Sequence, residues 1–380
     1  MPIPILGYIA SHIESFPSIF STPGTATYLS ALIVLFLLKR YFNGTINTWH
    51  RKLPGSVILL TGGTGDIGAS VARNLACDGA QIILLVRNAA DPWIVEYISD
   101  LRQNTGNSQI FAETCDLSSL HSIRLFATKW IDNIPPRRLD MLIMMAGTLS
   151  PRGSPRSFTK DGVEEIFGID YLAHFQLLRI LSPAIRAQPA GRDVRIITST
   201  CLNYVAGELD LSDLEFKNRG YPRSTIKLSG AAKLCVMAMS REFQRRCESY
   251  KRKDETANNV RCYTVNPGLV RTGFFRRYIS MGALWGIFLY ILMYPFWWFV
   301  LKSANSGAQS FLWAAMSPEC GNGNGALIRE CEIVECRRRE VDEIGSELWD
   351  ISEKMCDELE KKAAIQRKLV EMKGKEVASR

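Results

Sequence analysis

Continuous apolar runs alternate with segments of helical periodicity through the middle of the chain. The apolar runs are SVILLTG at 56–62, QIILLVR at 81–87, QIFAETCD at 109–116, DMLIMMAG at 140–147, VRIITSTC at 194–201 and VRCYTVNPG at 260–268. Apolar strands separated by helices are typical of a parallel sheet covered by helices on both faces. The sequence therefore predicts an α/β fold with a doubly wound parallel sheet over residues 55–340.

A long uncharged stretch precedes this domain. Residues 25–42 read TATYLSALIVLFLLKRYF, and extension backward through Ile19 approaches the length of a bilayer span. No Lys or Arg precedes Lys39, which lies near the end of the stretch and is followed by Arg40, Arg51 and Lys52. We therefore expect an N-terminal segment (1–24), a transmembrane anchor (25–42) and a linker (43–54), with the main domain facing the cytosol. The alternative, a cleaved signal peptide, would need a basic N-terminal region, which this sequence lacks.

A second uncharged run, MGALWGIFLYILMYPFWWFVL, covers residues 281–301. Its length fits a transmembrane helix. However, 326–335 resembles a strand of the same sheet, and a crossing would place that strand on the wrong side of the membrane. Pro295 would also kink the helix. We expect 281–301 to lie in the membrane interface, with its aromatic side chains at headgroup level; a buried cap over a lipid-sized pocket is the alternative.

The chain ends in a charged segment with apolar residues at helical spacing, Ile344, Leu348, Ile351 and Leu359. This pattern predicts an amphipathic helix and a basic tail over 341–380.

Composition narrows the function classes. The net charge of +8 over 380 residues is only mildly basic, so we expect no nucleic-acid partner. Short basic clusters could face anionic lipid or simply solvent. The ten cysteines lack CxxC spacing and there are four histidines, so we expect no metal site and reduced thiols in a cytosol-facing domain.

A glycine-rich turn follows the first apolar run. It comprises Thr61, Gly62, Gly63, Thr64, Gly65, Asp66, Ile67 and Gly68. Glycines between a strand and a helix let the backbone approach a pyrophosphate, and the helix N-terminus offers free N–H groups. The turn therefore predicts a dinucleotide site. We expect the Asp66 carboxylate to cap backbone N–H groups of the first helical turn while pointing away from the ligand.

Residues at the ends of the next three strands refine this prediction. Arg87 ends the second strand, where an acidic residue would favour NAD and an arginine can bind the 2′-phosphate of NADP; the alternative is a surface arginine. Asp116, followed by Leu117, ends the third strand and is placed to reach the adenine amino group. Ala146 and Gly147 end the fourth, where small residues let the chain pass under the cofactor. We expect NADP(H) rather than NAD(H).

Over about 55–355 the sequence resembles the short-chain dehydrogenase/reductase family, in its membrane-associated, retinol-dehydrogenase-like branch. The motifs that carry the resemblance are TGGTGDIG (61–68), CDL (115–117), MAG (145–147), GIDYLAHFQLL (168–178), RIITST (195–200), AAKLCVMAMSREFQRR (231–246), NPGLVRTG (266–273), GAQSFLWAAMSPE (307–319) and ELWDISEKM (347–355). The resemblance implies a Rossmann fold and an oxidoreductase. It also implies that Pro267, Gly268, Val270 and Thr272 flank the nicotinamide.

The family's catalytic positions fall on unusual residues here. Lys233 matches the lysine that binds the nicotinamide ribose and lowers the pKa of the family's tyrosine. That tyrosine aligns with Ser229, and none of the twelve tyrosines is followed four residues later by a lysine. The family's serine aligns with Thr200, next to Ser199. Its helix asparagine, which holds a proton-relay water, aligns with Asp170.

Three replacements for the missing phenol are conceivable. Tyr204 or Tyr221 could swing into the gap. Asp170 could act as an acid if burial raised its pKa. Alternatively, Ser229 and Thr200 could orient a water that Lys233 polarises.

Two functions remain open on the sequence. The first is an NADP(H)-dependent oxidoreductase acting on the carbonyl or hydroxyl of an apolar substrate such as a lipid, a sterol or a retinoid-like alcohol. The second is a catalytically impaired dinucleotide-binding sensor or scaffold at a membrane. For either we expect contact with membrane lipid, a possible homodimer, and a location at the endoplasmic reticulum or lipid droplet.

Overall fold

A computed structural model of the chain describes residues 23–252, 254–322 and 325–378. The strands are β1 (Val57–Thr61), β2 (Gln81–Val86), β3 (Ile110–Thr114), β4 (Met141–Met144), β5 (Val194–Ser199), β6 (Val260–Asn266), β7 (Ala326–Arg329) and β8 (Glu332–Val334). The helices are α1 (Pro23–Asn43), α2 (Asp66–Cys77), α3 (Pro92–Thr105), α4 (Leu120–Ile131), α5 (Glu165–Phe167), α6 (Ala173–Arg186), α7 (Thr225–Ser249), α8 (Gly273–Ser280), α9 (Leu284–Leu292), α10 (Tyr294–Val300), α11 (Ala304–Met316), α12 (Glu340–Glu343) and α13 (Gly345–Ala378). A π-helix covers Gly168–Leu172, and short 3₁₀ helices cover Leu202–Ala206 and Glu319–Asn322.

All eight strands form one sheet in the order β3-β2-β1-β4-β5-β6-β7-β8. Every neighbouring pair is parallel except β7 and β8, which pair antiparallel as a hairpin. The strands β2 and β3 extend the sheet from one side of β1. The chain then returns, and β4 pairs with the other side of β1. A crevice therefore opens at the carboxyl ends of β1 and β4, where ligands bind in sheets of this kind.

The strands are apolar throughout because both faces of the sheet are covered. In β1, Leu59 packs into one core layer, while Ile58 and Leu60 pack into the other. The layer that includes Leu59 contains buried side chains from α4, α6, α7 and α13, and the opposite layer contains side chains from α2, α3 and α11. The predicted α/β fold with a mostly parallel sheet is confirmed.

The end of the sheet differs from the sequence-based prediction. The segment 326–335 was predicted as one strand, but it forms two strands, β7 and β8, that reverse at Glu330 and Cys331. Both turn residues have positive φ values, 54° and 59°. Neither residue is a glycine or an asparagine, the usual signals for such a backbone, so the apolar pattern alone could not reveal the turn.

The two long uncharged stretches form helices whose apolar side chains are largely exposed. α1 exposes a series of large side chains, and so does the segment around α9: Tyr28, Leu32, Phe36 and Tyr41 in α1, and Leu284, Trp285, Phe288 and Leu292 in α9. In the part of the chain with described coordinates, no helix is both long enough and apolar enough to cross a membrane. The predicted transmembrane anchor at 25–42 is thus not shown, and most of the predicted segment 1–24 lies outside the described residues.

The run 281–301 is divided into α9 and α10, which meet at Met293. Pro295 stands in the first turn of α10, where its missing N–H group costs nothing. Lys39 of α1 donates hydrogen bonds to the carbonyl oxygens of Trp298 (2.6 Å) and Phe299 (3.3 Å), so the end of α1 is tied to the end of α10. The two uncharged stretches therefore lie side by side at this point.

The C-terminal segment forms the short helix α12 and the long helix α13. Leu348 is fully buried, and Ile344, Ile351 and Leu359 pack against the same core layer. Trp349 contacts Phe175 of α6 edge-on, with ring centroids 4.8 Å apart, and stacks on Phe243 of α7 at 6.1 Å. The amphipathic pattern thus corresponds to a helix that covers α6 and α7.

Leu348 tests whether α13 is part of the folding unit. We expect Leu348→Ala to lower the free energy of unfolding by about 2–5 kcal/mol, because it leaves a cavity against α7. Ile365→Ala, at an exposed position of the same helix, should change it by less than about 0.5 kcal/mol. Urea unfolding followed by fluorescence measures both. Equal small effects would mean that α13 does not contribute to the core.

Candidate active site

The glycine-rich turn lies at the carboxyl end of β1, in the crevice beside β4. Gly62 has a φ of +71°, and a Cβ there would lie 2.7 Å from the amide nitrogen of Ala146. A Cβ on Gly68 would lie 2.1 Å from the carbonyl oxygen of Gly62. Gly65 and Asp66 are exposed at the start of α2. The residues present therefore fit a dinucleotide, since the backbone is bare where a pyrophosphate would approach a helix N-terminus.

Thr61 joins the turn to the end of β4. Its hydroxyl oxygen accepts hydrogen bonds from the amides of Met145 (3.1 Å) and Ala146 (3.2 Å) and lies 3.0 Å from Nε2 of His174. The other ring nitrogen of His174, Nδ1, is 3.1 Å from the backbone oxygen of Asp170. Because a carbonyl can only accept, Nδ1 carries the proton and Nε2 accepts from Thr61. Burial lowers the pKa of His174 to about 4, so the ring is neutral at physiological pH.

Asp66 caps a different helix from the one expected. Its Oδ2 accepts a hydrogen bond from the amide of Gly273 (2.8 Å), the first residue of α8, rather than from an amide of α2. The side chain of the preceding residue, Thr272, caps the same helix by accepting from the amide of Phe275. The bond from the Gly273 amide to Asp66 therefore joins the glycine-rich turn to the end of the segment 266–273.

The segment after β6 adopts an irregular path. Pro267 is buried, and Gly268 has a φ of +80° and donates its amide to Oδ1 of Asn266 at 3.0 Å. Val270 then pairs as an isolated parallel bridge with Lys302. This pairing holds the segment after β6 beside the start of α11.

The two residues expected at the adenosine end lie in different environments. The side chain of Arg87 is exposed and has no hydrogen-bond or ion-pair partner in the described ranges. Asp116 is buried, and its carboxylate accepts from the amide and hydroxyl of Ser118 and from Nζ of Lys160 at 2.7 Å. Burial alone would raise the pKa of Asp116, but these donors outweigh it and lower the pKa below its usual value. The half-buried Leu117 follows it.

Lys233 and Asp170 form a buried ion pair. Nζ of Lys233 lies 3.3 Å from Oδ2 of Asp170, and both side chains are nearly inaccessible. Oδ1 of Asp170 accepts the amide of Thr148 at 2.6 Å. Gly147 leaves room for this carboxylate, because a Cβ there would lie 3.1 Å from Oδ1. Burial raises the pKa of Asp170, and the neighbouring Lys233 ammonium opposes that rise.

Asp170 reaches Lys233 from the π-helix Gly168–Leu172. A π-helix inserts an extra residue per turn and is frequent at functional sites. The sequence gives no sign of it, because the apolar periodicity of 162–181 reads as one helix. His174, one turn beyond Asp170, was not predicted as a site residue, although it lies within the motif GIDYLAHFQLL.

Ser229 lies one helical turn before Lys233 on α7 and is buried. Its hydroxyl is in hydrogen-bonding contact with the thiol of Cys201. The charge of Lys233 acts to lower the pKa of this thiol, and the charge of Asp170 acts to raise it. Two glycines bring these segments together: a Cβ on Gly207 would lie 2.4 Å from the carbonyl carbon of Gly230. Sequence reasoning missed Cys201. The available signal was its position, directly after Thr200 at the end of a strand.

Thr200 and Ser199 end β5. The amide of Thr200 donates to the backbone oxygen of Val265 at 2.9 Å, while its buried hydroxyl has no hydrogen-bond partner in the described part of the chain. Ser199 is half-buried and is paired through its backbone with Val265. Within the described residues the group contacting Ser229 from this strand end is thus Cys201, and Thr200 retains a free hydroxyl.

Neither candidate tyrosine reaches Lys233. The phenol of Tyr204 is in hydrogen-bonding contact with the backbone of Arg337. The Tyr221 hydroxyl donates to Oε1 of Glu164 at 3.0 Å, and its ring faces the guanidinium of Arg156 at 5.5 Å. Burial, followed by the charge of Glu164, raises the pKa of Tyr221 well above its usual value. Replacement of the phenol by either residue would require breaking these contacts.

Comparison with known proteins identifies one family model and many relatives. The model described as short chain dehydrogenase matches residues 56–209. The chain is 43% identical to the uncharacterized oxidoreductase pbr1 of Schizosaccharomyces pombe, over 95% of this chain and 97% of the relative. It is 30% identical to human retinol dehydrogenase 13 (82% and 88%) and 28% identical to human polyprenol dehydrogenase (85% and 92%).

Solved structures agree on the fold. An uncharacterized protein from Mycobacterium paratuberculosis aligns with a TM-score of 0.58 at 23% identity, covering 82% of this chain and 98% of that one. The Pseudomonas aeruginosa RhlG/NADP active-site complex aligns with a TM-score of 0.52 at 19% identity, covering 73% and 95%.

The burial of His174 predicts a pH dependence of stability. Because its pKa is depressed in the folded state, the unfolded chain binds the proton more tightly, and stability present above about pH 6.5 is lost as pH falls toward about 4. We expect the loss between about pH 7 and about pH 4.5 to be about 2–3 kcal/mol smaller in His174→Gln than in the wild type. Urea unfolding at both pH values measures it.

His121→Gln, on α4, serves as the control and should behave as the wild type. The raised pKa of Asp170 contributes a slope of opposite sign in all three proteins, so the difference between them isolates His174. Identical pH profiles for His174→Gln and the wild type would show that the ring is not held neutral.

Proposed function

Since the chain belongs to the short-chain dehydrogenase/reductase family, in its retinol-dehydrogenase-like branch, and is an oxidoreductase of that family, we propose that it uses NADP(H) to interconvert a carbonyl and an alcohol on an apolar substrate. The observation that carries the proposal is the buried Lys233–Asp170 pair at the same edge of the sheet as the bare glycine turn. A charge is retained in the interior only at a cost, which a binding or catalytic role would justify.

The cofactor would be held by residues at the ends of the central strands. The backbone of the turn from Thr61 to Gly68, together with the start of α2, would bind the pyrophosphate. Ala146 and Gly147 would lie under the cofactor, and Pro267, Gly268, Val270 and Thr272 would border the nicotinamide. When bound, the dinucleotide supplies or accepts a hydride.

Lys233 would bind the nicotinamide ribose hydroxyls through its ammonium group. The Asp170 carboxylate would fix the direction of that ammonium, because its Oδ2 lies 3.3 Å from Nζ. Ser229, Thr200 and Ser199 would supply hydroxyl groups near the reacting oxygen. The neutral His174 ring would hold the backbone of Asp170 against Thr61.

The apolar substrate is inferred from the exposed surface and from the relatives. α1 and α9 expose large aliphatic and aromatic side chains, and an exposed apolar patch of this size marks a partner or membrane surface. Two relatives are named for retinol and polyprenol, both apolar alcohols. We therefore assign the protein to a membrane, anchored by the region of α1 and with its main domain on the cytosolic side, at the endoplasmic reticulum or lipid droplet.

Arg87 determines the choice between the two dinucleotides in this proposal. Its exposed guanidinium would form charge-assisted hydrogen bonds with the 2′-phosphate of NADP, worth about 1.5–3 kcal/mol. We expect Arg87→Gln to weaken NADPH binding by about 10- to 150-fold and to leave NADH binding unchanged. Nicotinamide fluorescence titration measures both constants.

Arg73→Gln, which removes another exposed arginine from α2, controls for the loss of net charge and should change neither constant. Equal weakening of NADPH and NADH by Arg87→Gln would assign Arg87 a role unrelated to the 2′-phosphate.

The function is tested by incubating the full chain in detergent with NADPH or NADP⁺ and a total membrane lipid extract, with products followed by mass spectrometry. We expect at least one apolar aldehyde, ketone or alcohol to be converted. Lys233→Met should reduce the rate by about 10²-fold or more, the scale of acid–base catalysis. Lys227→Met, on the exposed side of the same helix, should not. Tight NADPH binding without conversion would instead support the membrane-bound sensor.

A further inference from the structure

The proposed site lacks a phenol, so its proton donor has to be another group. Besides the hydroxyls of Ser199 and Thr200 at the end of β5, four side chains able to donate or carry a proton lie near one another in the described residues: Cys201, Ser229, Lys233 and Asp170. Both oxygens of Asp170 are occupied, one by the amide of Thr148 and the other by the ammonium of Lys233. The carboxylate is therefore engaged in holding Lys233.

Cys201 differs from its three neighbours in exposure. Ser229, Lys233 and Asp170 are all buried, whereas Cys201 is partly exposed. Its position is fixed by backbone packing: a Cβ on Gly230 would lie 2.3 Å from the carbonyl oxygen of Asn203, so the 3₁₀ helix after Cys201 contacts α7 directly. This contact keeps the thiol against the Ser229 hydroxyl. Among the four residues, Cys201 is thus the one that keeps an exposed part.

We propose that the Cys201 thiol is the proton donor to the substrate oxygen, with the Ser229 hydroxyl and the Lys233 ammonium returning a proton to it. The proposal rests on the oxidoreductase function proposed above and adds a catalytic residue to it. Serine at position 229 then links the thiol to Lys233 and does not itself replace a phenol.

The acidity of a thiol suits this role. Ordinary pKa values are about 8.5 for cysteine and about 10 for tyrosine, whereas a serine hydroxyl does not titrate in this range. Burial raises the pKa of Cys201, and the Lys233 ammonium and the Ser229 hydroxyl oppose the rise. Burial therefore favours the protonated thiol, which is the form that a reduction requires.

Reduction of the carbonyl adds one hydride and one proton. The carbonyl carbon gains a hydride from the reduced nicotinamide dinucleotide, which is oxidised. The electron pair of the carbonyl π bond takes the proton from Sγ of Cys201, so that an S–H bond breaks, an O–H bond forms and a thiolate remains. The thiolate then takes a proton from the Ser229 hydroxyl, which is reprotonated from Lys233, and Lys233 from solvent. Oxidation of an alcohol runs through the same atoms in reverse, with the thiolate accepting the proton.

The first test measures the thiol without turnover. The rate of Cys201 alkylation by iodoacetamide is followed against pH by mass spectrometry, with the exposed Cys77 in the same digest as the reference. Because Lys233 stabilises the thiolate and Asp170 destabilises it, we expect Lys233→Met to move the midpoint of Cys201 to higher pH and Asp170→Asn to lower pH. The midpoint of Cys77 should not move. A Cys201 midpoint that neither variant changes would overturn the proposal.

The second test measures turnover on a substrate found by the lipid screen. We expect Cys201→Ala and Cys201→Ser to lower the rate of reduction by about 10²- to 10⁴-fold while NADPH binding, read by fluorescence, is retained. The wild-type rate should fall as pH rises through the Cys201 midpoint. Cys77→Ser is the matched control and should retain the rate. A wild-type rate and pH profile in Cys201→Ala would place the donor elsewhere and refute the proposal.

A third measurement applies if the Cys201 variants fail to fold. The Cys77→Ser protein is alkylated at Cys201 only, and we expect turnover to stop while NADPH fluorescence still reports binding. Continued turnover would contradict the proposal. If the wild type converts no lipid, the proposed function fails. If lipid is converted but conversion is independent of Cys201, only the role of the thiol is refuted.

Discussion

The buried ion pair between Lys233 and Asp170 is the interaction on which the arrangement of the site depends. Both side chains are nearly inaccessible, and removal of one partner from a buried pair typically costs about 3–5 kcal/mol because the other is left uncompensated. The pair therefore fixes α7 relative to the π-helix Gly168–Leu172. Through Thr148 and Gly147 it also fixes the end of β4.

Two close backbone contacts bring the remaining groups to this pair. Gly62 brings the first strand end against the residues that follow β4, and Gly207 and Gly230 bring the loop after β5 against α7. Both contacts exclude a Cβ, so they hold their segments closer than side-chain packing would allow. In the proposed function the groups that bind the cofactor thus lie on strand ends, whereas the groups proposed to carry protons lie on α7, on the π-helix and in the loop at Cys201.

The polar site and the exposed apolar surface lie on connected segments. Gly273 is bonded to Asp66 of the glycine-rich turn, and Thr272 caps the same helix, α8. The helices α9 and α10 follow α8 directly along the chain. Arg271 belongs to the same connection: its amide bonds to the backbone oxygen of Lys302, and its guanidinium faces the ring of Tyr294 of α10 at 5.0 Å. An apolar substrate that partitions from a membrane would therefore enter beside the segment that borders the nicotinamide in the proposed function.

The sequence by itself determined the central sheet and the glycine-rich turn. Apolar runs such as 81–87 and 194–201 are buried on both faces, so their pattern reports burial directly, and the observed strands fall within the predicted segments. The family resemblance placed Lys233 and Asp170 among the site residues, but it did not indicate Cys201. Contacts between segments far apart in the chain determine the surroundings of Cys201 and His174. Such contacts also engage the phenols of Tyr204 and Tyr221. Only the tertiary structure decided them, because a hydrogen bond between distant segments leaves no local periodicity in the sequence.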